Sequence, residues 1–473
     1  MGDSKDYHSA VIDGELYSER KIKPKWYRST TYNAFILGIC NLLAPGIWGA
    51  MNSLGAGGAQ KPYLVNTANA LTFCLMVLSC IFSSIIVRWV GIKWTLIIGT
   101  VGYAPYAAGL YTNNRFGTEW FVLLGAALCG LSAGVFWMAE AAIALSYPEP
   151  YNQGRFLGFW LSFRLGGQIL GGAINLGLNA NRNEAGKVSY TVYLVFIALQ
   201  ALGPFTGLLL SEPGQVQRTD GVPVSLKIKE DSFSELRATA KLFLSRNFLL
   251  IVPLIAQGVY SEAVMFTFQA LWFTVRARAL GSFLSGIVAV VSGNLLGAFL
   301  DHTKLKLRQR ARWAFFVILG LQGAWWIWAT VLATEFRRSR PTYDWSDAGF
   351  GRGFALFLLL VMGFQLNYMY LYFVVGELAE SEADVVRIAG LLRATESAAQ
   401  AVSYGLNSID IFAQVGGVYL NFGLWAAALL PAWIVVRDIG VGLGDQKLKR
   451  EAKREDTPSE DTESIRDSDK RTV

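Results

Sequence analysis

Glu140, Arg164, Glu262, Arg393 and Glu396 are ionisable side chains set inside otherwise apolar stretches. At the centre of a membrane helix each costs about 2.5–3.5 kcal/mol on insertion scales, so each must face water, a partner or the protein interior. Two chemistries follow: ion pairs that orient helices, and carboxylates that take up and release protons along a pathway. Glu140 lies about two turns from the end of its run, and Arg164 at similar depth in the next, antiparallel run, which predicts an ion pair. Arg393, Glu396 and Gln400 fall at i, i+3 and i+7 on one face, where the first two can satisfy each other. Glu262 and Gln269 are seven residues apart and share a face, as do Gln365, Tyr368 and Tyr372. Hydrogen-bonding tips on aromatic bodies suit an amphiphilic or aromatic ligand, and suit plain packing as well. Histidine supplies no relay, since His8 and His302 lie outside the apolar runs.

The elements that must position these residues are membrane helices. The chain has 473 residues, 53% hydrophobic and 16% charged, where soluble domains are about a quarter charged. Runs of spanning length fall near 32–51, 64–88, 93–112, 119–146, 155–178, 190–210, 247–272, 283–300, 313–333, 354–376, 387–409 and 417–436. The expected fold is therefore an all-α polytopic membrane protein of about twelve helices. Arg155, Gly158, Arg164 and Gln168 are matched by Arg387, Gly390, Glu396 and Gln400 at a constant offset of 232 residues. An internal repeat of that kind makes the chain two copies of one unit. The division expected is a tail 1–31, a six-helix half 32–210, a polar link 211–246, a second half 247–436 and a disordered tail 437–473. Pro45, Pro105, Pro204, Pro253 and Pro431 interrupt apolar runs and are candidate kinks. Gly154, Gly158, Gly167 and Gly171 read as close helix packing.

The net charge of +7 is no nucleic-acid signal, because the basic residues sit in loops and tails. Lys304, Lys306, Arg308, Arg310 and Arg312, with the link and both tails, place both termini in the cytoplasm; Arg337, Arg338 and Arg340 run against the trend. Cys40, Cys74, Cys80 and Cys129 all lie in apolar runs, which excludes a disulfide framework and favours packing. No apolar core precedes the first run, so no cleavable signal peptide is expected. Ser459, Thr462 and Ser464 sit beside acidic residues in the last tail. A phosphate-binding loop, a Cys/His metal cluster and a nucleophile elbow are missing, so neither an enzyme nor a cofactor is expected.

Residues 297–301 read GAFLD, and Gly297 and Asp301 resemble the Gly-x-x-x-Asp loop signature of the major facilitator superfamily, which recurs between helices two and three and between eight and nine. The first-half equivalent at 84–88 has Ser84 for glycine and Arg88 for aspartate, with Gly91 and Lys93 still matching. The offset between these two sites is 213 and not 232, and the longer loop near 334–353 can absorb much of that difference. The stretch from Tyr147 and Pro148 through Gln153, Gly154 and Arg155 to Gly171 and Gly172 is similar to the Unc-ninety-three-like branch of that superfamily, in its fungal form. So are 136–140 (FWMAE) and the run from Asn33.

The resemblance covers about 28–436 and implies two six-helix bundles with helices one, four, seven and ten around a cavity. It puts Glu140 and Glu262 on opposing halves, with Glu262 the preferred proton-coupling residue. Gln269, Gln365, Tyr368 and Tyr372 complete the pathway candidates; Arg164, Arg393 and Glu396 are read as ion-pair or gate residues. Relatives are transporter-like with no agreed substrate, and animal members are associated with potassium-channel regulation and receptor trafficking. The leading expectation is a secondary transporter of a small molecule by alternating access in the plasma membrane, or in a vacuolar or other internal one. The alternative is a non-transporting regulator with a channel or trafficking partner, which the departure at Arg88 favours.

Overall fold

The structure, a computed structural model, describes residues 9–12, 15–18, 23–59, 61–149, 153–221, 223–224, 232–300, 305–378 and 382–441. Helices form the body. They are α1 (Thr30–Asn52), α2 (Tyr63–Val90), α3 (segments Ile92–Val101 and Tyr103–Phe116), α4 (Trp120–Ser146), α5 (Gln153–Asn179) and α6 (Tyr190–Leu208) in one bundle. The second bundle holds α7 (Arg246–Trp272), α8 (Val275–Leu300), α9 (Leu307–Ser339), α10 (Phe350–Gly376), α11 (Glu382–Asn407) and α12 (Phe412–Val436). A short hairpin pairs Ser9–Ile12 with Glu15–Ser18 ahead of them, and the link carries a helix over Ser232–Phe243. Among the described residues nine helices are long and apolar enough to cross a membrane. The other three are α3, broken at Gly102, and α5 and α11, which carry Arg164, Arg393 and Glu396.

The bundles meet along two seams, α2 against α11 and α5 against α8. Apolar cores fill each bundle, and one runs across the seam, joining Phe73, Met76 and Tyr106 to Ala263, Ala279 and Tyr404. Phe73 stacks on Tyr404 at 5.6 Å between ring centroids. Helix starts are set locally: the Ser29 hydroxyl accepts from Tyr32 N–H to cap α1, and Ser245 accepts from Phe248 N–H to cap α7. Within α1, Leu42–Gly46 is a π-turn around Pro45. The wider turn accommodates a ring that has no N–H to donate and would clash with the carbonyl a turn earlier.

Several boundaries differ from expectation, two of them with consequences. The eighth helix begins at Val275 and not near 283, because Arg276 and Arg278 lower the local hydropathy while Arg278 is nonetheless buried. The ninth runs on to Ser339, so the loop expected over 334–353 shrinks to 340–349; Arg337 and Arg338 sit in the last helical turn, where cations meet the C-terminal dipole. Of the loop signatures, Gly91 turns the chain between α2 and α3 at φ 82°, Lys93 opens α3, and Gly297 lies in α8. Asp301, the 304 end of the basic loop, and Ser459, Thr462 and Ser464 lie outside the described residues.

Candidate functional site

Between the bundles, near the middle of the helices, lies a cavity of about 80 Å³. That is room for a handful of waters, and well below the ~300–1,000 Å³ of small-molecule sites. The lining is aromatic and charged. Trp48 of α1, Phe73 of α2, Trp137 of α4, and Arg164 and Gln168 of α5 face it from one half. Glu262 of α7, Phe364, Gln365 and Tyr368 of α10, and Arg393 and Gln400 of α11 face it from the other.

Trp137 is the hub of the charges. The Arg393 guanidinium lies 4.6 Å from its ring centroid and that of Arg164 5.0 Å, with Arg164 also 5.7 Å from the Tyr368 ring. Such contacts hold a cation partly out of water at about 0.5–2 kcal/mol each. Arg393 donates to Glu396 at 3.0 Å, and Glu396 is fully buried behind it. Glu262, 8% exposed, accepts a hydrogen bond from Gln400 Nε2. Gln168, the counterpart of Gln400 in the repeat, donates to Ser285 Oγ across the seam at 3.2 Å.

The expected Glu140–Arg164 ion pair does not form. Glu140 is fully buried and accepts from the Trp160 indole N–H, while Arg164 turns to the cavity and its rings. The cause is helix phase: Trp137 and Glu140 are one turn apart but about 60° out of line, so pointing the indole inward leaves the carboxylate against α5. Among the pathway candidates, Glu262, Gln365 and Tyr368 line the cavity, whereas Glu140, Gln269 and Tyr372 do not. Gln269 donates to the Arg278 carbonyl at 2.7 Å, and Tyr372 is 40% exposed with its hydroxyl 3.0 Å from that of Tyr368. Arg393 makes the expected pair with Glu396 and, like Arg164, also lines the cavity. Trp137 and Gln168 were missed as site residues, although the repeat already paired Gln168 with Gln400.

At the end of the bundle away from residues 23 and 441 the halves are tied together. Arg278, 1% exposed, donates to the carbonyls of Leu54 (2.8 Å), Gly55 (2.7 Å), Ala59 (3.0 Å) and Gly186 (3.2 Å), all in the opposite half. Backbone N–H groups of Val275 and Arg276 donate to Glu184 and Arg182 at 3.0 and 2.9 Å. The Ser53 and Ser282 hydroxyls lie 2.7 Å apart, and Asn66 donates to Thr267 Oγ1 at 3.0 Å and the Asn407 carbonyl at 2.9 Å. Gly55, at φ 72°, lets the chain pass against α7: an added Cβ would sit 2.6 Å from the Phe266 carbonyl oxygen.

Two six-helix bundles closed around a charged central cavity make the chain a multi-pass membrane protein of the major facilitator fold. Solved structures agree on the fold: a D-xylose–proton symporter superposes with a TM-score of 0.59 at 13% identity, covering 85% of this chain and 96% of that one. A POT family transporter in complex with 5-aminolevulinic acid gives 0.61 at 12% identity, covering 86% and 96%. A family model described as "Ion channel regulatory protein UNC-93" matches residues 62–320. The "Notoamide biosynthesis cluster protein O'" of Aspergillus versicolor is 40% identical over 418 residues, 88% of this chain and 90% of that protein. "UNC93-like protein 1" of Arabidopsis thaliana is 26% identical over 399 residues, 81% and 85% of the two chains. The chain belongs to the UNC-93 family.

Proposed function

We propose that the protein is a secondary transporter that moves a small molecule by alternating access, with the substrate held in the central cavity. The observation that carries this reading is the cavity itself, with charged and aromatic side chains reaching it from both halves. Its small volume and the bonds at the far end fit an occluded state, from which the halves must part to admit a ligand. The moving units are 32–210 and 247–436, joined by the link 211–246, with tails 1–31 and 437–473. Both termini are cytoplasmic and the plasma membrane is the favoured location.

Proton coupling is assigned to Glu262, the carboxylate on the cavity wall. Glu140 is left with a positioning role against Trp160. The test is uptake into vesicles driven by an imposed pH gradient, after metabolite profiling of cells with and without the protein has named substrates. Glu262→Gln should abolish the pH dependence while Glu140→Gln keeps it. Gradient-driven uptake that survives Glu262→Gln would remove the assignment.

The match to a family of ion channel regulatory proteins supports a second reading, a membrane regulator of an ion channel. A partner protein retained in stoichiometric amount through purification, with no solute flux in vesicles, would select it.

A further inference from the structure

The cavity holds one cation and one anion that no contact within the described protein neutralises. Arg164 forms neither an ion pair nor a hydrogen bond among the described residues; its guanidinium lies against the faces of Trp137 and Tyr368. A guanidinium is planar, and its N–H donors form a fork that takes a carboxylate through two parallel bonds. None of its nitrogens is among the buried polar atoms lacking a partner, so the fork is open to the cavity. Glu262 reaches the same cavity from the other half, with one oxygen taken by Gln400 and the other likewise not sealed in. The third charge, Arg393, is already matched by Glu396 at 3.0 Å.

We propose that the cavity takes a dipolar aromatic ligand, a planar apolar body with a carboxylate that docks on Arg164 and an amine that docks on Glu262. Arg164 and Glu262 offset each other across the cavity, so a purely anionic ligand would leave one negative charge in excess and a purely cationic one a positive charge in excess. Enclosing an uncompensated charge is among the most unfavourable events inside a protein. The rings of Trp48, Phe73 and Phe364 supply the apolar walls. Because Arg164 and Glu262 belong to opposite halves, such a ligand bridges them, and since about 80 Å³ is too little for a phenyl body, it is taken up in a form whose halves have moved apart. The inference rests on the carrier reading for its biological meaning, but binding is measurable without transport.

The experiment uses the full chain in lipid nanodiscs and follows its tryptophan emission. Three probes share one phenyl body: phenylalanine with both charges, 3-phenylpropionate with the anion alone, and phenethylamine with the cation alone. Phenylalanine should bind at least about tenfold more tightly than either of the others, the effect of one charge-assisted contact. Arg164→Gln should bring phenylalanine down to the affinity of phenethylamine, and Glu262→Gln to that of 3-phenylpropionate. Arg164→Lys, which keeps the charge without the planar fork, should fall between. Should a variant fail to fold by circular dichroism, the order of the three probes on the unaltered protein decides alone. A singly charged probe binding as tightly as phenylalanine, or no binding by any of the three, overturns the proposal. Binding in the expected order without flux of labelled phenylalanine into liposomes would instead sink the carrier reading.

Discussion

Arg278→Gln is expected to shift the protein toward a form open at the end away from the termini. The arginine serves four backbone carbonyls of the opposite half, at 2.7 to 3.2 Å. A glutamine amide has two N–H donors, so at least two of those carbonyls lose their partner in the closed form. A buried acceptor left unsatisfied costs about 1–3 kcal/mol, which puts the penalty at about 2–6 kcal/mol. Opening brings water to the same carbonyls and removes it. The closed-to-open ratio should therefore fall by about 30-fold to about 20,000-fold. Spin labels at Lys61 and Ile409, exposed positions of the two halves at that end, report the separation directly once Cys40, Cys74, Cys80 and Cys129 are replaced. A longer distance population should appear in Arg278→Gln and a smaller one in Arg278→Lys, which keeps the charge but not the fork. An unchanged distance distribution in a folded Arg278→Gln protein would refute the reasoning.

Gly55→Ala should open the same end, since its Cβ would press on the α7 backbone 2.6 Å from Phe266 O and 2.8 Å from Ala270 N at a φ of 72°. Combined with Arg278→Gln it should add less than its separate effect in the same distance measurement, because both act on one closure. Glu396→Gln leaves Arg393 without its buried counter-charge and should destabilise the fold by about 3–5 kcal/mol, read as a fall in the thermal midpoint in nanodiscs. Asp344, in the loop between α9 and α10, is held well below the usual carboxylate range, first by the Arg276 guanidinium and then by Ser346 and Thr274. A depressed folded-state pKa contributes stability that is complete above the unfolded value of about 4 and is lost as pH falls through the folded one. Thermal midpoints measured from pH 7 down to 3 should thus drop at the acid end, and Asp344→Asn should lower the neutral midpoint while flattening that slope.

Much of the architecture was legible because apolar runs of spanning length and a repeated motif are direct physical signatures. The site was only half legible. Gln168 and Gln400, equivalent in the repeat, do reach one cavity from opposite halves. Depth along a helix can be counted from the chain, but rotation about its axis is settled by neighbours, and that undid the Glu140–Arg164 pair. Trp160 of α5 supplied the donor that Glu140 needed, and stacking against Trp137 and Tyr368 drew Arg164 elsewhere. Arg278 escaped notice for a related reason. Three positions from Val275 it reads as loop charge, and only the fold brings four carbonyls around it.

The π-turn at Leu42–Gly46 has a consequence for the rest of its helix. A π-turn holds one residue more than the α-turn it replaces, so everything beyond it is rotated relative to a straight continuation. Deleting Pro45 would draw the following segment back about 1.5 Å and turn it by about 100°. Trp48 and Gly49 would swing off the cavity wall, and Ser53 would lose its place beside Ser282. A single-residue deletion inside a membrane helix would then leave a continuous α-helix of spanning length, yet erase the wall that α1 presents to the other half.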